Sequence, residues 1–238
     1  MIWLVQDRCR LTPVTQLTLL YHFKWIAAST CTTSDCQGSG VNKYNVGLSI
    51  DSGQYINLNY HQGSVSGSVY WDEIQIGVTQ DQIETSVNGT GRGGATGFDI
   101  GFQAFIAADK VQDEDLSGGE FEGILGLALP ANSIVQSYIP GSTTGQPDGA
   151  TFLENLFGLG PGAPIGRYFA MSLERRGDTR TKSTFGLGMY DDTVCTGNCT
   201  PNYNPVVTSA QGPLYWRILL QGISVCKSLA SGCHREYS

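Results

Sequence analysis

Charge is scarce in this sequence. Only 15% of its 238 residues are Asp, Glu, Lys or Arg, which argues against a helical bundle or a disordered chain. The 14 basic residues are outnumbered by 21 acidic ones, and a net charge of −7 excludes a nucleic-acid-binding face. No apolar run approaches the roughly 20 residues needed to span a bilayer. Met1-Ile2-Trp3-Leu4-Val5 is soon broken by Gln6, Asp7, Arg8 and Arg10, so no signal peptide is expected at the N-terminus. The three histidines, His22, His61 and His234, stand far apart, which leaves no zinc set and no serine triad, and there is no Gly-x-Ser-x-Gly elbow. Asp113-Glu114-Asp115 lacks the alternating spacing of a calcium loop and reads as a solvated loop. Gly89-Thr90-Gly91-Arg92-Gly93-Gly94 is followed by no helical pattern, so it is no dinucleotide site. No cofactor, metal or obligate partner is implied.

Glycine, by contrast, is abundant, at 31 residues. With many Ser and Thr this suits an all-β protein rich in turns. Ile56, Leu58 and Tyr60 alternate on one face, His61-Gln62-Gly63 supplies a turn, and Ser64 to Tyr70 resumes with small and β-branched residues, which is a hairpin signature. Ile100, Phe102, Ala104 and Ile106 alternate, as do Phe169, Met171 and Leu173. One helix is predicted, from Phe152, Leu153, Leu156 and Phe157, with Gly158 as its stop. The stretch from Gly141 to Gly149 reads as a loop, and residues 1–22 show neither clean alternation nor an amphipathic helix.

Seven cysteines fall into three close pairs and a remainder, Cys9. The pairs suggest local disulfide loops at Cys31/Cys36, Cys195/Cys199 and Cys226/Cys233, against the alternative of free thiols in the cytosol. Sequons at Asn88 and Asn198 agree with a secreted glycoprotein.

Four segments, in order, are distinctive: Trp25-Ile26-Ala27-Ala28-Ser29-Thr30-Cys31; Tyr60-His61-Gln62-Gly63-Ser64; Phe121-Glu122-Gly123-Ile124-Leu125-Gly126-Leu127-Ala128; and Thr184-Phe185-Gly186-Leu187-Gly188, followed by Tyr215-Trp216. Together they resemble the pepsin-like aspartic proteases, peptidase family A1, over about residues 24–233. The resemblance implies a pepsin-like acid-protease fold: an atypical segment at 1–22, an N-terminal lobe at 23–192 and the opening strands of a C-terminal lobe at 193–238. It makes Tyr60, Gly63 and Ser64 the flap that closes over a peptide substrate, its Tyr hydroxyl bonded to Trp25. Ile124 would line the pocket beside the scissile bond. It also matches Cys31–Cys36 to the family's first bridge, and implies endoproteolysis without cofactor or metal.

The family's two catalytic aspartates are missing from their places. Each belongs to an Asp-Thr/Ser-Gly loop, and the first should precede the Trp by seven residues, where this chain has Thr18-Leu19-Leu20. The second should lie about five residues past Cys233, at Ser238. Asp51-Ser52-Gly53 comes after the Trp and the first cysteine pair, so Asp51 reads as a turn residue rather than a catalyst. The expectation is an aspartic endopeptidase relative that is inactive as written, altered by splicing or reading frame. The alternatives are a catalytically dead homologue that binds peptides or inhibits another enzyme, and a carbohydrate-binding β-sandwich.

Overall fold

The computed structural model describes residues 24–38, 41–60, 63–76, 97–119, 121–139, 147–172, 184–188, 205–208, 210 and 212–216, together with the backbone of 2–4 and 15–18. Among them strands dominate. The elements are β1 (Ile2–Leu4), β2 (Thr15–Thr18), β3 (Lys24–Ala27), β4 (Ile50–Asn59), β5 (Ser64–Ile76), β6 (Phe98–Gln112), α1 (Leu116–Gly119), β7 (Gly123–Gly126), α2 (Ile134–Tyr138), α3 (Phe152–Gly158), β8 (Phe169–Ser172) and β9 (Thr184–Leu187). Seven strands form one mixed sheet in the order β1-β5-β6-β3-β7-β2, with β4 also on β5, while β8 and β9 make a separate pair. The protein is all-β in class.

The β4–β5 hairpin follows from the alternation in its sequence. Ile56 and Leu58 turn into the core while Tyr55 and Asn57 face out. Cα partners run from Asn59↔Ser64 to Ile50↔Trp71, with one irregularity between Asp51 and Tyr55. That irregularity is where Asp51-Ser52-Gly53 lies. The Gly53 amide donates to Asp51 Oδ1 at 2.8 Å, and Gly53 takes a φ of +70°, so the motif is a bulge within β4 rather than a loop between elements.

β6 departs from simple alternation in a similar way. Gly101 takes a φ of +67° next to a register shift, and residues on either side of it change face. Ile100 packs in one apolar cluster, Ala104 and Ile106 in the other, and Phe102 is exposed. One alternating strand from Ile100 to Ile106 is therefore corrected to two registers joined at a glycine.

The N-terminal segment also differs from its sequence pattern. Thr15–Thr18 pairs in parallel with β7, from Thr15↔Gly123 to Thr18↔Gly126, and Ile2–Leu4 pairs with the end of β5. Pairing across more than 100 residues overrides a local pattern that offered no strand. The predicted helix is present as α3. Thr151 and Glu154 form a reciprocal capping box, and Gly158 is its last residue, with the left-handed glycine at Gly160.

The two clusters lie on opposite faces of β3. Trp25 and Ala27 join Ile56, Leu58, Val65, Val69, Ile106 and Ile124; Ile26 and Ala28 join Tyr44, Phe105, Leu125, Phe152 and Leu156. Lys24, at the head of β3, is buried as well. Its Nζ donates to the Ala150 carbonyl at 2.8 Å, which also accepts from Gln103 Nε2 at 2.9 Å. Desolvation lowers the Lys24 pKa to about 7, although Glu154 and Asp148 pull it the other way.

The unfolded lysine binds a proton up to its ordinary pKa of 10.5, while the folded one releases it near 7, so stability rises with pH across that window and the cost is fully felt below it. Lys24→Met should therefore raise the denaturant midpoint at pH 6 and flatten the rise of wild-type stability between pH 7 and 10. An unchanged pH dependence in the variant would contradict this.

Candidate peptide-binding site

Trp25 sits where three strands meet. Its Cα partners are Ile106 on β6 and Ile124 on β7, and both neighbours turn their side chains into the same cluster as the indole. The approach is close because Gly123 has no side chain. A Cβ there would come within 2.2 Å of the Trp25 carbonyl oxygen, so residue 123 must be glycine for β3 to lie against β7. Tyr60 packs against this cluster from the end of β4. Trp25, Ile124 and Tyr60 are thus brought together.

One implied contact is not made. Trp25 Nε1 is buried with no hydrogen-bond partner, so the expected Tyr60–Trp25 bond is corrected to packing alone. The indole is enclosed by apolar side chains such as Ile56, Leu58 and Ile124, which offer it no acceptor.

At the tip of the hairpin the Tyr60 amide donates to the Gly63 carbonyl at 3.0 Å, closing the turn. Gly63 has a φ of +93°, and Ser64 Oγ donates to Gln112 Oε1 at 3.2 Å, so both residues rest on the end of β6. His61 and Gln62 lie outside the described residues. Asp51 is exposed on the far part of β4, opposite Tyr70, and belongs to neither cluster.

Cys31 and Cys36 form a disulfide with a Cα separation of 6.0 Å. The loop it closes is fastened to the sheet by polar contacts. Thr33 Oγ1 accepts from the Val111 amide at 3.1 Å, Asp35 Oδ2 accepts from the Glu114 amide at 3.1 Å, and Lys43 Nζ donates to the Cys31 carbonyl at 2.9 Å. Cys9, Cys195, Cys199, Cys226, Cys233, Asn88 and Asn198 lie outside the described residues, as do Gly89–Gly94. Among the described residues no group of His, Cys, Asp and Glu is arranged to hold a metal ion.

One buried and one half-buried carboxylate escape sequence reasoning. Glu122 accepts from Asn42 Nδ2 at 3.1 Å through Oε1, while its Oε2 is buried without a partner. An acidic residue inside an apolar strand pattern was the available signal. Glu114, read as part of a solvated loop, is half-buried between exposed Asp113 and Asp115, both of which have left-handed φ values, 59° and 41°. Burial, then Asp35 and Asp113, raise its pKa to about 7. On the opposite face, the buried Tyr44 hydroxyl donates to Asp72 and contacts Ser49, and burial followed by the Asp72 bond raises its pKa.

Residues 94–237 match the family described as eukaryotic aspartyl protease, a region that includes β6, β7 and the Tyr215-Trp216 segment. The chain belongs to this aspartyl protease family. It is also 27% identical over 202 residues to a pregnancy-associated glycoprotein of horse, Equus caballus, covering 84% of this chain and 42% of that protein. The chain thus spans about two fifths of that relative's length. Trp25 and the β4–β5 hairpin precede the family match, whereas Ile124 lies within it. So does Trp216, whose Nε1 donates to the Leu127 carbonyl at 2.7 Å and whose ring meets Phe169 edge-on at 5.6 Å. This aspartyl protease relative therefore fastens the 212–216 segment to the chain just past β7.

The Cys31–Cys36 loop spans five positions, and closing it removes about 2 kcal/mol of entropy from the unfolded chain. Replacing both cysteines with alanine should lower unfolding stability by that order, read as a shift of the urea midpoint at unchanged slope. No shift would mean that the polar fastenings alone set the loop.

Proposed function

We propose that this chain is an aspartic endopeptidase relative that does not cleave peptide bonds. The observation that carries the reading is Thr18. It ends β2, beside Gly126 of β7 and seven residues before Trp25, where the pepsin-like pattern calls for the first catalytic aspartate. In that chemistry one carboxylate accepts a proton from water while a second, still protonated, polarises the scissile carbonyl. A threonine hydroxyl is no base at acid pH. Loss of one partner therefore leaves the water unactivated even where the other carboxylate is present.

Peptide binding is the second reading. Trp25 and Ile124, both buried, back the partly buried Tyr60, and the β4–β5 hairpin would cover an extended peptide as the family's flap does, using Gly63 and Ser64 near its tip. Secretion is proposed with it, supported by the Cys31–Cys36 disulfide and by the horse relative's description as a glycoprotein. Glycans would then sit on Asn88 and Asn198. The two lobes implied by the sequence, divided near residue 192, belong to the same proposal.

Purified chain should leave a denatured protein substrate intact between about pH 3 and about pH 5, the range in which a carboxylate pair holds one proton. Pepstatin-sensitive cleavage by pure protein would overturn the proposal. Asp51→Asn would then ask whether the bulge residue supplies the carboxylate.

A further inference from the structure

The turn after β6 runs beneath the β4–β5 hairpin. A Cβ on Gly63 would come within 2.5 Å of the Gln112 carbonyl oxygen, 2.8 Å of Glu114 Oε1 and 3.1 Å of the Asp113 carbonyl oxygen. The Glu114 carboxyl is therefore wedged directly under the hairpin's turn. On its other side the Glu114 amide is held by Asp35 of the disulfide loop, whose short 3-10 turn spans Ser34–Gln37. Glu114 Oε1 is buried and has no hydrogen-bond partner. Thr33, one residue from that turn, accepts from the Val111 amide, and the chain between Val111 and Glu114 is thereby fixed at both ends. The backbone that carries the wedge is thereby tied to the disulfide loop.

We propose that Glu114 is a pH-dependent latch: neutral, its carboxyl packs under Gly63 and the hairpin's turn stays closed; ionised, it faces acidic neighbours and, among the described residues, no compensating cation, and the turn opens. Among the described residues, the charged groups that act on it are acidic. Asp35 faces it from the disulfide loop, and Asp113 and Asp115 flank it on its own turn. The hairpin contributes uncharged Gly63 and Ser64, and α1, Leu-Ser-Gly-Gly, contributes no charge. Lys43 is engaged with the Cys31 carbonyl, and Lys110 on β6 is exposed. His61 lies outside the described residues.

The direction of the effect follows from the shift. The closed state keeps the Glu114 proton up to about pH 7, whereas a solvated glutamate loses it near 4.5, so closure is favoured at acid pH and is lost as pH rises through 7. Lys24 titrates over a neighbouring range with the opposite sign, since its burial favours folding as pH rises. The two groups cannot be mistaken for one another. The latch requires only the hairpin, and holds whether or not the hairpin covers a peptide.

The test is hydrogen exchange of the full chain, read by mass spectrometry on peptides spanning Tyr60 to Ser68 and corrected for intrinsic exchange. Wild-type protection should fall by at least about tenfold between about pH 5 and about pH 8, since one proton's linkage shifts a local opening equilibrium by up to about tenfold per pH unit until the closed-state pKa is passed. Glu114→Gln should remove that fall and keep the acid-side protection at pH 8. Asp35→Asn, which leaves the wedge in place, should reduce the size of the fall and end it at lower pH, because removing that negative neighbour lowers the Glu114 pKa and so lessens the penalty on the ionised form. Flat wild-type protection across the range would overturn the latch, as would a Glu114→Gln variant with the wild-type pH dependence. Should Glu114→Gln fail to fold, an Asp35→Asn profile identical to wild type would overturn it on its own.

Discussion

The close approach of β3 to β7 at Gly123 is the constraint from which the site is built. Because residue 123 lacks a side chain, the Trp25 carbonyl can lie where a Cβ would otherwise be, and Trp25 and Ile124 become direct partners. Their side chains then nucleate one apolar cluster, to which β4 and β5 add Ile56, Leu58, Val65 and Val69. On its other edge β7 takes β2 in parallel register, which brings Thr18 beside Gly126. Side chains of larger size at position 123 would separate the strands that set all of these positions. The proposed loss of the family's chemistry rests on what stands at the ends of strands held by that contact.

Much of this was legible in the sequence. Alternation at Ile56, Leu58 and Tyr60 fixed the inward face of β4, and glycine punctuation in the 121–128 run marked a strand under close backbone contact. Other elements could not be read locally. Thr15–Thr18 becomes a strand because β7 offers an unpaired edge, not because its residues alternate. Gly101 shifts the register of β6 by adopting a left-handed φ, and a glycine in sequence does not announce which φ it takes. Asp51-Ser52-Gly53 has the composition of a turn and forms a bulge for the same reason. The Trp25 indole lacks the hydrogen bond implied by family likeness because packing, rather than composition, decides where a ring's N–H points.

Buried charge is the other theme. Lys24 spans from β3 to the Ala150 carbonyl in a shell shared with Gln103 and Asn155, and Glu122 makes only one of its possible bonds. Each such group lowers stability relative to an apolar neighbour, and each ties together segments distant in sequence. The two groups with pKa values near 7, Lys24 and Glu114, pull stability in opposite directions as pH changes. Global unfolding and local hairpin opening need not share a pH optimum as a result.

The position of Thr18 carries the functional reading, and it depends on β2 lying parallel to β7. Backbone nuclear Overhauser contacts in deuterated, amide-labelled protein measure that pairing directly. The expected result is a set of parallel-strand contacts linking Gln16 and Leu17 to Ile124 and Leu125, with Thr18 reaching Gly126. Antiparallel contacts, or a β7 edge with no contact to residues 15–18, would remove Thr18 from the catalytic position and with it the physical basis for an inactive site.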